Sequence, residues 1–221
     1  MLDKRSIVTV TTPAATYDLV LLADVHTELG IATTDTSNDL WFAAAITRVS
    51  AAVARYCRRT FPVESLTEQI YPAIDPFPYQ VPGRVAPLQL ARWPLVEVAS
   101  VTVAESLDDA EAYTAGTDFI ADPGTGQLFK LNPFTGYQST WDPVPMTVVY
   151  SAGYATIPPD LQYAVLQLIT SAWKSRGQDD RLMGVTEQGV ERRYWVDTGK
   201  DGAFPPNVRE TLDAYRVPMV A

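Results

Sequence analysis

The sequence contains a single cysteine, Cys57, and a single histidine, His26, among its 221 residues. One cysteine excludes an internal disulfide, and so few soft ligands exclude a structural zinc site. A cysteine–histidine nucleophile pair would have to consist of these two residues. Cys57 lies in an alanine-rich helical pattern that favours a small buried thiol, and His26 lies alone on a short amphipathic helix. We therefore predict no catalytic residue, no metal site and no cofactor.

Long hydrophobic runs are also absent. No stretch approaches the roughly 18 consecutive apolar residues that a transmembrane helix needs. The first ten residues lack the apolar segment and the small-residue cleavage site of a secretory signal peptide. We therefore expect a chain that is neither secreted nor associated with a membrane.

Basic residues are scarce in the middle of the chain. The net charge is −9, and residues 61–150 contain eleven acidic residues against three basic ones. Such a segment does not neutralise DNA phosphates, so we expect no specific binding of DNA. Two interpretations stay open: an ordinary solvated surface, or a surface along which DNA slides without sticking.

Apolar residues at spacings of three and four predict helices on both sides of this acidic segment. A short helix over about 21–29 is followed by Gly30, a typical C-cap residue. A long helix covers about 39–58, and two more cover about 160–177 and 207–216. The predicted apolar stripe of the long helix consists of Trp41, Ala45, Val49, Val53 and Tyr56.

Between residues 61 and 150, prolines separate short runs that are rich in valine, threonine and aromatic residues, which is typical of strands. We therefore predict an α+β fold that is mainly an α-helical bundle, with a small inserted antiparallel β module and a C-terminal helix or tail. The predicted parts are an extended N-terminal arm (1–20), a helical core (21–62 and 155–177), a β-rich insertion (63–154), and a mobile loop with the C-terminal segment (178–221).

Four stretches, in this order and spacing, resemble the head–tail connector (adaptor) proteins of long-tailed phages and gene transfer agents. They are LLADVHTELGI (21–31), YCRRTF (56–61), LARWPLVEVASV (90–101) and VVYSAGYATIPPDL (148–161). The terminal segment 205–216 is also similar. Two positions depart from the family pattern, since Arg58 stands where glycine is common and Ala91 where proline is frequent.

The resemblance implies a structural subunit without enzymatic activity. Connectors of this family form a ring, here expected to have twelve subunits, beneath the portal protein. The lumen continues the channel through which double-stranded DNA passes, and the lower face receives a stopper or tail-completion protein. We therefore expect the chain at the head–tail interface of a virion that is assembled in the host cytoplasm.

The resemblance also suggests contact residues. The C-terminal segment of such proteins reaches the portal, although packing of this segment against its own fold remains an alternative. The alanine-rich long helix suits contacts between ring subunits, although an intramolecular core remains open there as well. The predicted portal-docking residues are Phe204, Pro205, Val208, Leu212, Tyr215 and Arg216, and the predicted ring contacts are Trp41, Arg48, Ala52 and Arg55.

Two other functions remain as alternatives. A tail-completion or tail-terminator protein would belong to the same particle, but its fold would be dominated by β-structure without a helical opening. A small cytosolic enzyme or binding module would need a concave pocket with clustered polar groups, and the sequence nominates none.

Overall fold

The computed structural model describes residues 4–72, 87–106, 109–141, 144–176, 184–187, 190–193 and 204–217. The chain divides into two compact units. The first, the β unit, contains residues 1–16 and 60–156, and the second, the helical unit, contains residues 17–59 and 157–221.

The described residues form eleven strands and four helices. The strands are β1 (Lys4–Thr12), β2 (Glu64–Pro72), β3 (Leu88–Gln89), β4 (Leu95–Ser106), β5 (Asp109–Tyr113), β6 (Phe119–Asp122), β7 (Gln127–Leu131), β8 (Gln138–Ser139), β9 (Met146–Ala152), β10 (Gly184–Glu187) and β11 (Val190–Arg193). The helices are α1 (Leu22–Leu29), α2 (Asp39–Cys57), α3 (Pro159–Lys174) and α4 (Pro206–Tyr215).

The β unit contains two antiparallel sheets. One has five strands in the order β1-β2-β9-β4-β5, and the other has the order β3-β7-β6 with β8 on β7. Strand β9 shows the strict alternation of a half-buried strand, because every second side chain from Met146 to Ala152 is buried. The two sheets share one hydrophobic core. Its members include Leu66, Ile70, Leu90, Val101, Phe119, Leu128, Trp141, Met146, Val148 and Tyr150.

Gly153 occupies a position that only glycine tolerates. Its φ is +131°, and a Cβ would lie 2.4 Å from the carbonyl oxygen of Pro62. Its N–H donates to the Pro94 carbonyl at 2.9 Å, and the next residue, Tyr154, donates its N–H to the Phe61 carbonyl at 2.7 Å. The end of β9 is therefore held directly against the backbone that leads into β2.

The helical unit buries one face of each helix. The first helix ends at Gly30, which has a left-handed φ of +67° as the sequence predicted. The buried face of α2 is rotated from the predicted stripe, because Phe42, Ile46 and Cys57 are buried while Trp41, Val49 and Tyr56 are only partly buried. The other buried side chains are Ala45, Ser50 and Val53 on α2, Leu161, Ala164, Val165 and Ile169 on α3, and Val208 and Leu212 on α4.

The prediction of a mainly α-helical bundle is wrong. The described strands contain more residues than the described helices, and they form antiparallel sheets around a core of their own. The N-terminal residues 4–12, for which the sequence indicated only an extended arm, form β1 and pair with β2. Strand β4 is twelve residues long. Pairing between distant segments therefore makes the β-structure much larger than the local pattern suggested.

The mobile loop predicted at the start of the segment 178–221 lies largely outside the described residues. Within the segment 177–203, the structure describes only β10 and β11, which pair with each other in antiparallel register.

Replacing Gly153 with alanine should destabilise the β unit by about 3 kcal/mol or more, because a Cβ clashes with backbone atoms and the φ is unfavourable. Gly124→Ala is the matched control, since a Cβ there meets only the Asp122 side chain at an ordinary 3.5 Å. Chemical denaturation of both variants measures the difference. Equal stability of the two variants would contradict the assigned role of Gly153.

Candidate interaction surface

Three of the predicted ring-contact residues, Arg48, Ala52 and Arg55, lie together on one face of α2. Their spacing of four and three residues places them on successive turns of the helix. They line a groove of about 400 Å³, here named the α2 groove, whose lining also includes Val49, Tyr56, Leu168 and Phe204. All seven residues belong to the helical unit.

The α2 groove combines an apolar floor with a cationic rim. Arg48 and Arg55 are exposed on either side of Ala52, whose small side chain leaves the space between them open. The Arg48 side chain donates from Nε to the Ala44 carbonyl at 3.1 Å. Within the part of the chain that the structure describes, neither guanidinium forms an ion pair. The groove is thus suited to an aromatic or aliphatic side chain flanked by negative charge.

Sequence reasoning missed four members of the groove. The sequence predicts Val49 and Tyr56 as part of the apolar stripe of α2, and it gives no site role to Leu168 on α3. The helix period placed them correctly on a partly buried face, but it could not distinguish the margin of a core from the floor of a groove. Phe204, a predicted portal contact, also lines this groove.

Trp41, the fourth predicted ring contact, does not line the groove. It packs edge-on against Trp173, with 5.2 Å between ring centroids, and also contacts Phe42. The Arg176 guanidinium lies over both tryptophan rings, 5.7 Å from Trp41 and 5.1 Å from Trp173. It also donates to the Asn38 side chain at 3.1 Å. This cluster ties the start of α2 to the end of α3.

The predicted portal-docking residues fall into two groups. Phe204, Val208 and Leu212 are buried inside the helical unit, with exposures of 6%, 2% and 0%. These three side chains therefore pack within their own unit, and their docking to the portal stays a prediction. Pro205 and Tyr215 are partly buried and Arg216 is exposed, so a docking role remains a prediction for those three.

Polar contacts hold α4 and the chain after it on the helical unit. The Tyr56 hydroxyl donates to Asp213 at 2.8 Å, and the Tyr215 hydroxyl donates to Asp160 at 2.7 Å. Burial and the adjacent Asp213 carboxylate raise the pKa of Tyr56, so its hydroxyl remains a donor at neutral pH. The N–H of Val217 donates to the Cys57 carbonyl at 3.0 Å.

Cys57 and His26 do not hydrogen-bond to each other but each has a structural partner. His26 is 3% exposed, and its Nε2 lies 2.8 Å from Asp39 Oδ1. The buried Cys57 thiol lies 3.5 Å from the Leu212 carbonyl, to which it donates.

Among the described residues, no group of three or more His, Cys, Asp or Glu side chains is placed to bind a metal. No helix in the described ranges has both the length and the hydrophobicity to cross a membrane.

The Cys57 thiol should be nearly inert in the native protein. Burial raises the pKa of Cys57 to about 11, so at pH 7.5 the thiol is protonated, and the thiolate is the reactive species. Reaction with Ellman's reagent should be more than about hundredfold slower in the native protein than in urea. A native rate within a few-fold of the unfolded rate would show that Cys57 is accessible and that α4 does not cover it.

Solved structures with a similar fold come from gene transfer agents. A chain in the neck of an empty gene transfer agent particle, computed with C6 symmetry, is 14% identical, with a TM-score of 0.54 and 97% of each chain covered. A chain in the virion of a native gene transfer agent particle is 12% identical, with a TM-score of 0.50 and the same coverage. At these identities the likeness establishes the fold alone. No curated protein sequence matches the chain.

The sequence itself matches a family model. The model of the head completion protein family matches residues 18–217, which is most of the chain. This match confirms the resemblance to structural proteins of the head–tail region, together with the predicted virion localisation. Because the family is a structural one, the prediction that the chain is not an enzyme is also confirmed. The chain belongs to the head completion protein family.

Proposed function

We propose that this head completion protein is the connector (adaptor) subunit that forms a ring beneath the portal and joins the head to the tail. The observation that carries the proposal is the fold likeness, over 97% of both chains, to a chain in the neck of a gene transfer agent particle. The C6 symmetry used for that neck is compatible with a ring of twelve, because twelvefold symmetry contains sixfold symmetry.

The charge distribution supports passage of DNA through such a ring. Residues 61–150, which lie in the β unit, contain eleven acidic residues against three basic ones. In this unit Glu97 and Glu111 are exposed, and Asp118 and Asp122 are partly exposed, whereas the described basic side chains are Arg92 and Lys130. A wall of this charge repels phosphates, so double-stranded DNA moves along it without specific binding.

The neighbours in the proposed assembly are those of a connector. The portal protein lies above the ring, and a stopper or tail-completion protein lies below it. Further copies of the chain lie on either side, so each subunit needs two unlike surfaces that meet around the ring. The α2 groove is our proposed site for one of these surfaces, and Pro205, Tyr215 and Arg216 are our proposed portal contacts.

Mixing the purified chain with the portal ring of the same particle should add one annular layer to the portal. Negative-stain electron microscopy measures the layer, and the portal alone is the control. An annulus with an open centre is the expected result. A monodisperse 24.3 kDa monomer that leaves the portal unchanged would contradict the connector proposal.

Reversing the charge at Arg216 should weaken attachment to the portal about tenfold or more, because a charge pair at an interface edge would be replaced by repulsion. Lys174→Glu is the matched control, since Lys174 is also an exposed cation in the helical unit. Cosedimentation with the portal measures attachment, and circular dichroism verifies that both variants fold. Equal attachment of the two variants would remove Arg216 from the portal contact.

A further inference from the structure

The loop between β7 and β8 presents two aromatic side chains to solvent. Phe134 is 95% exposed and Tyr137 is 78% exposed. Single exposed apolar residues are ordinary on protein surfaces. Here, however, two large rings project from one six-residue loop, 132–137, in the acidic β unit.

Hydrogen bonds fix the shape of this loop. The Asn132 side-chain oxygen accepts from the N–H groups of Phe134 at 2.9 Å and Thr135 at 3.2 Å. The Asn132 backbone accepts from Gly136 N–H at 2.8 Å and donates to the Tyr137 carbonyl at 2.9 Å. Gly136 has a φ of +71°, which the turn requires. The loop is therefore preorganised around its exposed rings, and preorganised aromatic residues are the usual anchors of protein interfaces.

The α2 groove has the complementary properties. Its floor is apolar, its volume of about 400 Å³ admits an aromatic side chain, and Arg48 and Arg55 stand exposed at its rim. Guanidinium groups stack on aromatic rings and pair with carboxylates. The loop provides the rings, and the segment 61–150 that contains it is acidic, with eleven acidic residues against three basic ones.

We propose that loop 132–137 of one subunit docks into the α2 groove of the next copy of the same chain. Phe134 enters the groove between Arg48 and Arg55, above Ala52. The contact joins two different surfaces of identical chains, so it is heterologous and propagates around a ring. This inference rests on the proposed connector function and names the surfaces by which the ring closes.

Cysteine cross-linking on the portal-bound annulus tests the contact. A chain carrying both Thr135→Cys and Ala52→Cys, treated with a short bismaleimide, should give a ladder of dimers, trimers and larger species in denaturing electrophoresis. The native Cys57 is buried and does not compete. The matched control carries Thr135→Cys with Leu40→Cys, because Leu40 is 90% exposed but lies about 18 Å along α2 from Ala52.

The outcomes separate this inference from the function on which it rests. An annulus with a ladder from the first pair alone supports the contact. Three results would overturn the contact and leave the connector function intact. They are an annulus without a ladder, products that stop at the dimer, and equal ladders from both pairs. Absence of any annulus would overturn both.

A second variant tests the aromatic anchor itself. Phe134→Ala should reduce the amount of annulus at least about tenfold at equal protein concentration, as truncation of an interface anchor does. Its folding should be unaffected, since the ring is exposed in the free chain. Ile120→Ala is the control, because Ile120 is an exposed apolar residue on β6 of the same sheet. Equal losses in the two variants would contradict the anchoring role of Phe134.

Discussion

The β unit depends on a carboxylate buried in its five-stranded sheet. Glu68 on β2 is fully buried, and its Oε2 accepts from the Ala91 N–H at 2.9 Å and from the Tyr150 hydroxyl at 2.8 Å. A buried carboxylate without donors costs several kcal/mol, so the fold must deliver both donors together. Burial and the Glu68 carboxylate raise the pKa of Tyr150, which keeps the phenolic proton available for this bond. Because both donors must reach Glu68, β9 and the segment after β3 are held against β2.

Contacts next to Glu68 also hold the two ends of the segment 60–156 in place. Arg92 follows Ala91 and reaches two residues near the entry point, with its Nη1 3.7 Å from Glu64 and hydrogen-bonded to the Thr60 hydroxyl. The exit is held at Tyr154, whose N–H donates to the Phe61 carbonyl and whose ring stacks on Phe61. The two ends of the segment 60–156 are therefore held against each other.

Local patterns predicted the helices better than they predicted what each helix face contacts. The period of α2 was sufficient to bring Arg48, Ala52 and Arg55 together, because residues on successive turns must share a face. It could not show that Trp41 is held by Trp173 and Arg176, which come from the other end of the sequence. The β-structure was underestimated for the same reason: Ser65 and Ser151 hydrogen-bond across the β2–β9 pair, although 86 residues separate them. The sequence did not indicate the 132–137 loop as a contact, because a sequence does not distinguish an exposed phenylalanine from a buried one. Asn132 and Gly136 are turn residues, however, and they mark the loop.

The placement of unlike surfaces on the two units has a consequence for assembly. Two α2 grooves that faced each other would bring four guanidinium groups together, and two acidic β units that faced each other would also repel. A symmetric dimer through either surface is therefore disfavoured by like charge, whereas contact between the groove of one copy and the loop of the next is favoured. In the proposed connector ring, the charge pattern that repels DNA phosphates also favours head-to-tail contacts between subunits, and such contacts close a ring by rotation.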